Sequence, residues 1–437
     1  MRIDRLYLKN FKGFAEREFT FTPQFNLLVG VNGTGKTTVL DGLSVAAGSW
    51  FLGLRGYDSR HILPNEVRLA AHSFDGEIRF EQQFPVIVRA HGQVGDEDLM
   101  PWERTLSSRA GRTTTQGANQ VKKIGASFDR HVQEGAGLEL PLISYYGTGR
   151  LWLEPRQAKQ DAQVKNPEKL AAKTQLSRLS AYRTSVDPRL SVRDLMRWIA
   201  RQSWIAYQQG RESALFQAVK GALIRCVEGA ENLYFDPQRG EVVVVIAGQG
   251  AQPFVNLSDG QRSMLALVGD IAQKAAKLNP QFGDQVLEQT SGVVLVDELD
   301  LHLHPRWQRR VIEDLRRTFP KIQFICTTHS PFLIQSLRSG EELILLEGQP
   351  TAQLGNLTLE EIARGVMGIS NPGVSQRYEA MRGAARDYLE TLDLAAAGPD
   401  AKLAEFKQRL SDAIAPFADN PAFQAFLEMK RAAKLGE

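Results

Sequence analysis

Apolar and polar residues alternate from Met1 to Phe21, through Ile3, Leu6, Leu8, Phe19 and Phe21, with Asn10-Phe11-Lys12-Gly13-Phe14 interrupting as a turn. Period-two alternation on both sides of a turn predicts an opening hairpin. Phe25-Asn26-Leu27-Leu28-Val29 reads as a short buried strand running straight into a glycine-rich loop, and residues 37 to 47 continue with apolar positions at helical spacing. Strand, loop and helix therefore follow without a break. Further strands are predicted within residues 65 to 92, at 77 to 80 and 85 to 88. Residues 93 to 125 are polar and rich in Gly, Ser and Thr, and predict a mobile excursion.

A strand returns at 140 to 146, and a polar, basic stretch covers 155 to 190. Residues 191 to 204 and about 212 to 228 predict amphipathic helices, with Leu195, Trp198 and Ile199 on one face. This is a helical insertion without the sustained heptads of a long coiled coil. Residues 232 to 247 predict a second hairpin around a turn at 237 to 240. Gly292-Val293-Val294-Leu295-Val296 is continuously apolar up to Asp297, the pattern of a parallel strand buried on both faces. Pro305 suits the first turn of a helix carrying Trp307, Val311, Ile312, Leu315 and Phe319, before another buried strand at 322 to 326. Strand, helix and parallel strand imply a right-handed crossover. Residues 374 to 437 predict helices that form a terminal cap.

The 437 residues are 43% hydrophobic and 24% charged, ordinary for a globular chain, which excludes wholesale disorder, collagen-like repeats and a disulfide scaffold. No apolar run reaches the roughly eighteen residues of a membrane span, and the N-terminus lacks the form of a secretory signal, so no membrane is expected and the cytoplasm is the default location. Cys226 and Cys326, outside any CxxC or Cys/His cluster, predict buried thiols. The net charge of +3 is unevenly spread, since residues 101 to 200 hold 17 Lys and Arg against 9 Asp and Glu. That segment, with Lys165, Lys169, Lys173, Arg178 and Arg183, is either a solvated helical surface or a contact for a polyanion such as DNA.

Gly30-Val31-Asn32-Gly33-Thr34-Gly35-Lys36-Thr37 matches G-x-x-x-x-G-K-[ST] and lies between a buried strand and a helix start, where the chemistry needs it. Gly30, Gly33 and Gly35, with Asn32 and Thr34, form a loop whose backbone N–H groups can wrap phosphates. Lys36 reaches the β and γ oxygens, Thr37 can ligate Mg2+, and Thr38 follows in a first turn whose dipole favours anions. Asp297-Glu298 offers one carboxylate for metal and a second to polarise water. Alone, such a pair is often a loop leading into a helix; downstream of a phosphate loop the division of labour is the stronger reading. Leu257-Ser258-Asp259-Gly260-Gln261-Arg262 opens a further helix. Ser258 or Asp259 is an N-cap on the plain reading, whereas the Ser258 hydroxyl and Gly260 N–H make a second anion site on the sharper one. One nucleotide does not need two such sites in one subunit, so the second would serve the nucleotide of another copy.

In this order the motifs resemble the ABC-type ATPases: Walker A at 30 to 37, an LSGGQ-like signature at 257 to 262, Walker B at 293 to 298, and a switch histidine, His329, after Phe324-Ile325-Cys326-Thr327-Thr328. The resemblance implies an α/β fold, an ABC-ATPase-type P-loop head with an N-terminal antiparallel β lobe, a helical insertion and a C-terminal helical cap. Its expected parts are 1–150 with Walker A, 151–230 as insertion, 231–350 with the remaining motifs, and 351–437. It implies ATP and Mg2+ as cofactors, Glu298 as base, His329 as a γ-phosphate contact, and Ser258, Gly260 and Gln261 closing over the ATP of the other protomer in a head-to-head homodimer. His302 and His304 fall at the D-loop position, which argues against zinc.

The run from Asp297 to Pro305, Trp307-Gln308-Arg309-Arg310, Thr328-His329-Ser330-Pro331, Tyr145-Tyr146-Gly147-Thr148-Gly149-Arg150 and the opening Asn10-Phe11-Lys12-Gly13-Phe14 narrow the likeness. They are similar to SMC/OLD-like AAA ATPases, namely the predicted ATP-binding proteins involved in virulence and the ATPase subunit of Septu anti-phage systems. The likeness covers most of 1 to 350 and implies a nucleotide-gated dimer in phage defence that works with an HNH-type nuclease, DNA or both. Two departures stand out. No clear Q-loop glutamine is present, Thr148 to Arg150 standing in its place, and no toprim or HNH cluster follows residue 350, so DNA cleavage would need a partner. A DNA repair or recombination ATPase and a nucleotide-gated scaffold with little turnover share the motifs and are the alternatives.

Overall fold

The computed structural model describes the chain apart from residues 75–76, 96, 151–176, 348–356, 370, 398–407, 409–411, 413–414, 418 and 436–437. Two compact units divide it, Met1–Ile362 and Ala363–Glu437. The first opens with β1 (Arg2–Phe11), β2 (Phe14–Thr20), β3 (Phe25–Val29) and α1 (Lys36–Ala47), then β4 (Leu69–Phe74), β5 (Glu77–Gln82), β6 (Val86–Gln93), β7 (Met100–Leu106), α2 (Asn119–Gln133) and β8 (Leu142–Tyr146). It continues with α3 (Val192–Gln209), α4 (Ala214–Cys226), β9 (Ala230–Asp236), β10 (Glu241–Ile246), β11 (Gly250–Pro253) and α5 (Asp259–Leu278). The strands β12 (Gly292–Val296), β13 (Ile322–Thr327) and β14 (Leu343–Leu345) follow, with α6 (Val311–Thr318) between the first two.

The uninterrupted apolar runs become the inner strands of a parallel sheet ordered β14-β3-β13-β12-β8. Every residue of β3, β8, β12 and β13 is buried, as strands covered on both faces require. The alternating strands form an antiparallel sheet ordered β2-β1-β6-β7. Between the two sheets lies α1, which contacts β1 and β6 on one side and β12 and β13 on the other. All of α1 is buried except Thr37 and Thr38, and Gly42 lets Leu6 and Leu8 approach it closely. A third sheet, β11-β10-β9, is the predicted second hairpin with one added strand.

Residues 93 to 125 correct the expectation of a mobile excursion. The segment contains β7, paired with β6, and the first two turns of α2. Met100, Trp102, Arg104 and Leu106 point inward, and Trp102 Nε1 donates to the Ala46 carbonyl at 2.9 Å. The inward arginine disguised the alternation: Arg104 is buried because its guanidinium donates to the Thr114 carbonyl at 3.0 Å and to Ser59 Oγ at 2.9 Å. Burial without a carboxylate lowers its pKa to about 10. The helix expected from Pro305 is also broken, into Pro305–Gln308 and α6. Its first turn is tied to the preceding loop, Gln308 Nε2 donating to the Leu303 carbonyl at 2.8 Å.

In the second unit α7 (Gln376–Ala397) and α8 (Pro421–Leu435) share a small core of Tyr388, Leu392 and Leu427, packed with Ala385, Leu389 and Phe423. Among the described residues no helix is long and apolar enough to cross a membrane.

Candidate active site

The loop between β3 and α1 turns sharply because Gly33 and Gly35 adopt φ of +87° and +100°. Gly35 also faces Phe14 from the opening hairpin: a Cβ there would lie 2.6 Å from Phe14 Cζ. Gly35→Ala is therefore expected to distort the loop, weakening nucleotide binding at least about tenfold and costing about 1–3 kcal/mol of stability. Titration with a fluorescent ATP analogue and thermal melting check both.

Lys36 is buried at the first position of α1 and its Nζ donates to the carbonyls of Gly30 at 2.7 Å and Val31 at 3.1 Å. Burial lowers its pKa, against the opposing pull of Asp297, Glu298 and Asp300. Thr37 Oγ1 donates to Asp297 Oδ2 at 3.0 Å, and Thr327 Oγ1 to Asp297 Oδ1 at 2.6 Å. The two threonines come from opposite sides, one from α1 and one from the end of β13. Strand order explains the meeting, since β13 lies between β3 and β12. Thr327 Oγ1 in turn accepts the Glu298 N–H at 2.7 Å, placing Glu298, half-buried, directly beyond Asp297. A hydroxyl and a carboxylate side by side are hard oxygen donors suited to Mg2+.

Glu298 holds φ at +48°, a left-handed conformation uncommon outside glycine. Arg150 braces it. That side chain is 1% exposed, and it donates to the carbonyls of Asp297 at 2.8 Å, Glu298 at 3.0 Å and Gly147 at 3.3 Å. Burial lowers the Arg150 pKa, with Asp297 the first of the groups opposing it. Asp300 accepts from Thr328 Oγ1 at 2.6 Å, and Ser330 Oγ donates to Gln308 Oε1 at 2.7 Å, so the residues on both sides of His329 are fastened to the segment that follows β12. His329 itself is half-exposed.

Ser258, Gly260 and Gln261 lie in different surroundings. Ser258 Oγ accepts from Gln261 N at 3.3 Å while Gln261 Oε1 accepts from Ser258 N at 3.0 Å, a reciprocal cap on α5. Ser258 is exposed, whereas Gly260 is buried beneath the His302 carbonyl, 2.7 Å from where its Cβ would stand. His304 caps the helix at Pro305, its Nδ1 accepting from Arg306 N at 3.3 Å.

The family described as "AAA domain, putative AbiEii toxin, Type IV TA system" matches residues 166–335, and that described as "AAA domain" matches residues 5–209. This chain is a P-loop ATPase. The ATPase is 25% identical to the Retron Ec83 probable ATPase of Escherichia coli, over 80% of this chain and 72% of that one. It is 23% identical to the Retron Vc95 probable ATPase of Vibrio cholerae serotype O1 biovar El Tor, over 79% and 74%. A shorter stretch of 94 residues, 22% of this chain and 12% of the other, is 42% identical to the Septu protein PtuA of Bacillus mycoides.

Three residues of this ATPase site escaped the sequence reading of roles. Arg150 and Thr327 stood inside quoted stretches, but their roles depend on which strands are neighbours. Asp41 had a local signal, a lone carboxylate on an otherwise apolar helix. It pairs with Lys12 from the β1–β2 turn and accepts from Tyr145 Oη at 3.3 Å, while Arg60 lies 4.0 Å away and pairs with Glu66 at 2.5 Å. This network fastens α1, behind the phosphate loop, to the antiparallel sheet and to β8. Burial and Asp41 together raise the Tyr145 phenol well above its ordinary pKa.

Of the basic residues expected to face DNA, Lys165, Lys169 and Lys173 lie outside the described residues. Arg178 is committed elsewhere: its guanidinium donates to the carbonyls of Leu278 at 2.7 Å, Ala136 at 3.0 Å and Leu138 at 2.6 Å. Its fork is filled by backbone oxygens, which removes it as a phosphate contact.

Proposed function

We propose that the ATPase binds Mg-ATP at two composite sites of a head-to-head homodimer and uses that ATP-gated contact to control a nuclease of the HNH type, DNA or both, in phage defence. The observation that supports it is that the residues of the two motifs have different partners. Lys36, Thr37, Asp297 and Glu298 converge around one loop, while the exposed Ser258 has its hydrogen bonds within its own cap. Ser258 and Gln261 bond to each other in a helix cap, which leaves this motif suited to a role on the nucleotide of another copy. Thr37 and Asp297 would hold Mg2+, which when bound neutralises charge on the β and γ phosphates. Glu298 orients and deprotonates the attacking water, and Lys36 exchanges its two carbonyl partners for phosphate oxygens. His329 completes the γ-phosphate contacts. The relatives named as retron and Septu proteins support the defence setting.

Glu298→Gln keeps the metal and phosphate contacts while removing the base, so it is expected to trap an ATP-bound dimer. Analytical ultracentrifugation with and without Mg-ATP measures this. Gly260 is a poor control, because any side chain there meets the His302 carbonyl within its own subunit. Ser258→Arg on the Glu298→Gln background is the better one, costing about 1 kcal/mol through the missing cap while blocking approach of the second copy. A Mg-ATP dimer that survives Ser258→Arg would reduce 257 to 262 to a helix cap.

A further inference from the structure

Helix α3 buries one face and leaves the other lined with arginine and aromatic rings. Leu195, Trp198 and Ile199 are buried, and Leu195 packs on α5 at Gly269, where a Cβ would come within 2.5 Å of it. On the opposite side Arg193, Arg197, Arg201, Trp204 and Gln208 follow at spacings of four, four, three and four, which aligns them along one line of a helix. All five are exposed. Trp204 is 60% exposed and Tyr207 80%, and their rings stack with centroids 5.9 Å apart and planes 27° from parallel. Two large rings this exposed and adjacent mark a contact surface.

We propose that this face of α3 binds single-stranded nucleic acid, with the arginines on successive phosphates and the Trp204–Tyr207 pair as a platform for unpaired bases. From Arg193 to Trp204 the helix rises about 16 Å, room for several nucleotides. Arginine at that spacing follows a backbone of like charges, and an exposed ring offers a sequence-tolerant face on which a base stacks. A duplex hides its base faces and satisfies only the arginines. A second copy is a poor occupant, because a twofold contact through this face sets arginine against arginine. This location deepens the DNA part of the function proposed above and does not depend on its dimer part.

The test is anisotropy of a labelled oligothymidylate of about twenty nucleotides with the full-length protein, without ATP, between about 50 and 200 mM salt. Trp204→Ala/Tyr207→Ala is expected to raise Kd at least about tenfold with little change in the salt slope. Arg197→Glu/Arg201→Glu is expected to make the slope of log K against log salt shallower by about 1.4, because two arginines no longer meet phosphate. ATP turnover should stay at the wild-type level in both, which separates failure of this surface from failure of the ATPase dimer. Should the aromatic double variant not fold, Trp204→Ser alone carries the same expectation. Wild-type affinity in both variants overturns the proposal. So does equally tight binding of a blunt duplex that the aromatic variant leaves unchanged, or sedimentation showing a wild-type oligomer that Arg197→Glu/Arg201→Glu disperses.

Discussion

Lys36→Ala is expected to lower ATP turnover about 10²–10³-fold, and Glu298→Gln about 10²–10⁴-fold. The two losses differ in kind. On the mechanism proposed above, Lys36 would supply a charge aimed at the phosphates, so its removal should weaken nucleotide binding as well as the chemical step. Glu298 would supply the base, so its amide should bind ATP normally and fail only at hydrolysis. Neither change should unfold the protein. The carbonyls of Gly30 and Val31 that lose the Lys36 amine lie in a loop whose tip is exposed to water, which can replace the donor. Phosphate release beside equilibrium ATP binding separates the two effects, and unchanged turnover by folded Lys36→Ala would remove the loop from the chemistry.

Arg150→Ala is the second large effect, and it should appear in stability and catalysis together. Its guanidinium satisfies three carbonyl oxygens, those of Gly147, Asp297 and Glu298, in a position closed to water. Each carbonyl left without a donor costs about 1–3 kcal/mol, so a loss on the order of 3–5 kcal/mol is expected in urea unfolding. The backbone of Glu298 at φ +48° is also released, and its relaxation would carry the Glu298 carboxylate away from the Asp297 side of the site. Turnover should fall more than ATP affinity, because the phosphate loop itself is untouched. Arg150→Lys restores at most part of the effect, since an ammonium cannot span carbonyls held by a planar fork. Wild-type single-turnover rates in folded Arg150→Ala would leave the residue a structural strut only.

The same residue shows where sequence reasoning stops. Tyr145-Tyr146-Gly147-Thr148-Gly149-Arg150 stands out as a stretch, yet it reads as the place of a missing glutamine, because nothing local says that a guanidinium reaches a carbonyl 147 residues away. Thr327 is similar. In the sequence it is one letter in a buried strand, and strand order makes it the neighbour of Asp297 and Glu298 at once. The excursion expected at 93 to 125 failed for a related reason, since the inward Arg104 breaks the apolar alternation and is satisfied only by partners that the fold brings to it.

What the sequence determined by itself was local: the hairpin at the N-terminus, the strand-loop-helix of the phosphate site and the buried strand ending in Asp297. Each is encoded by contiguous residues whose periodicity or glycine content permits one backbone geometry. The tertiary structure alone decided that β13 separates β3 from β12, that Arg150 closes over the turn after β12, and that α3 presents its arginines and aromatic rings outward. Those outcomes depend on which strands pair and which faces meet, and residues far apart in the chain are brought together only by burying the same core.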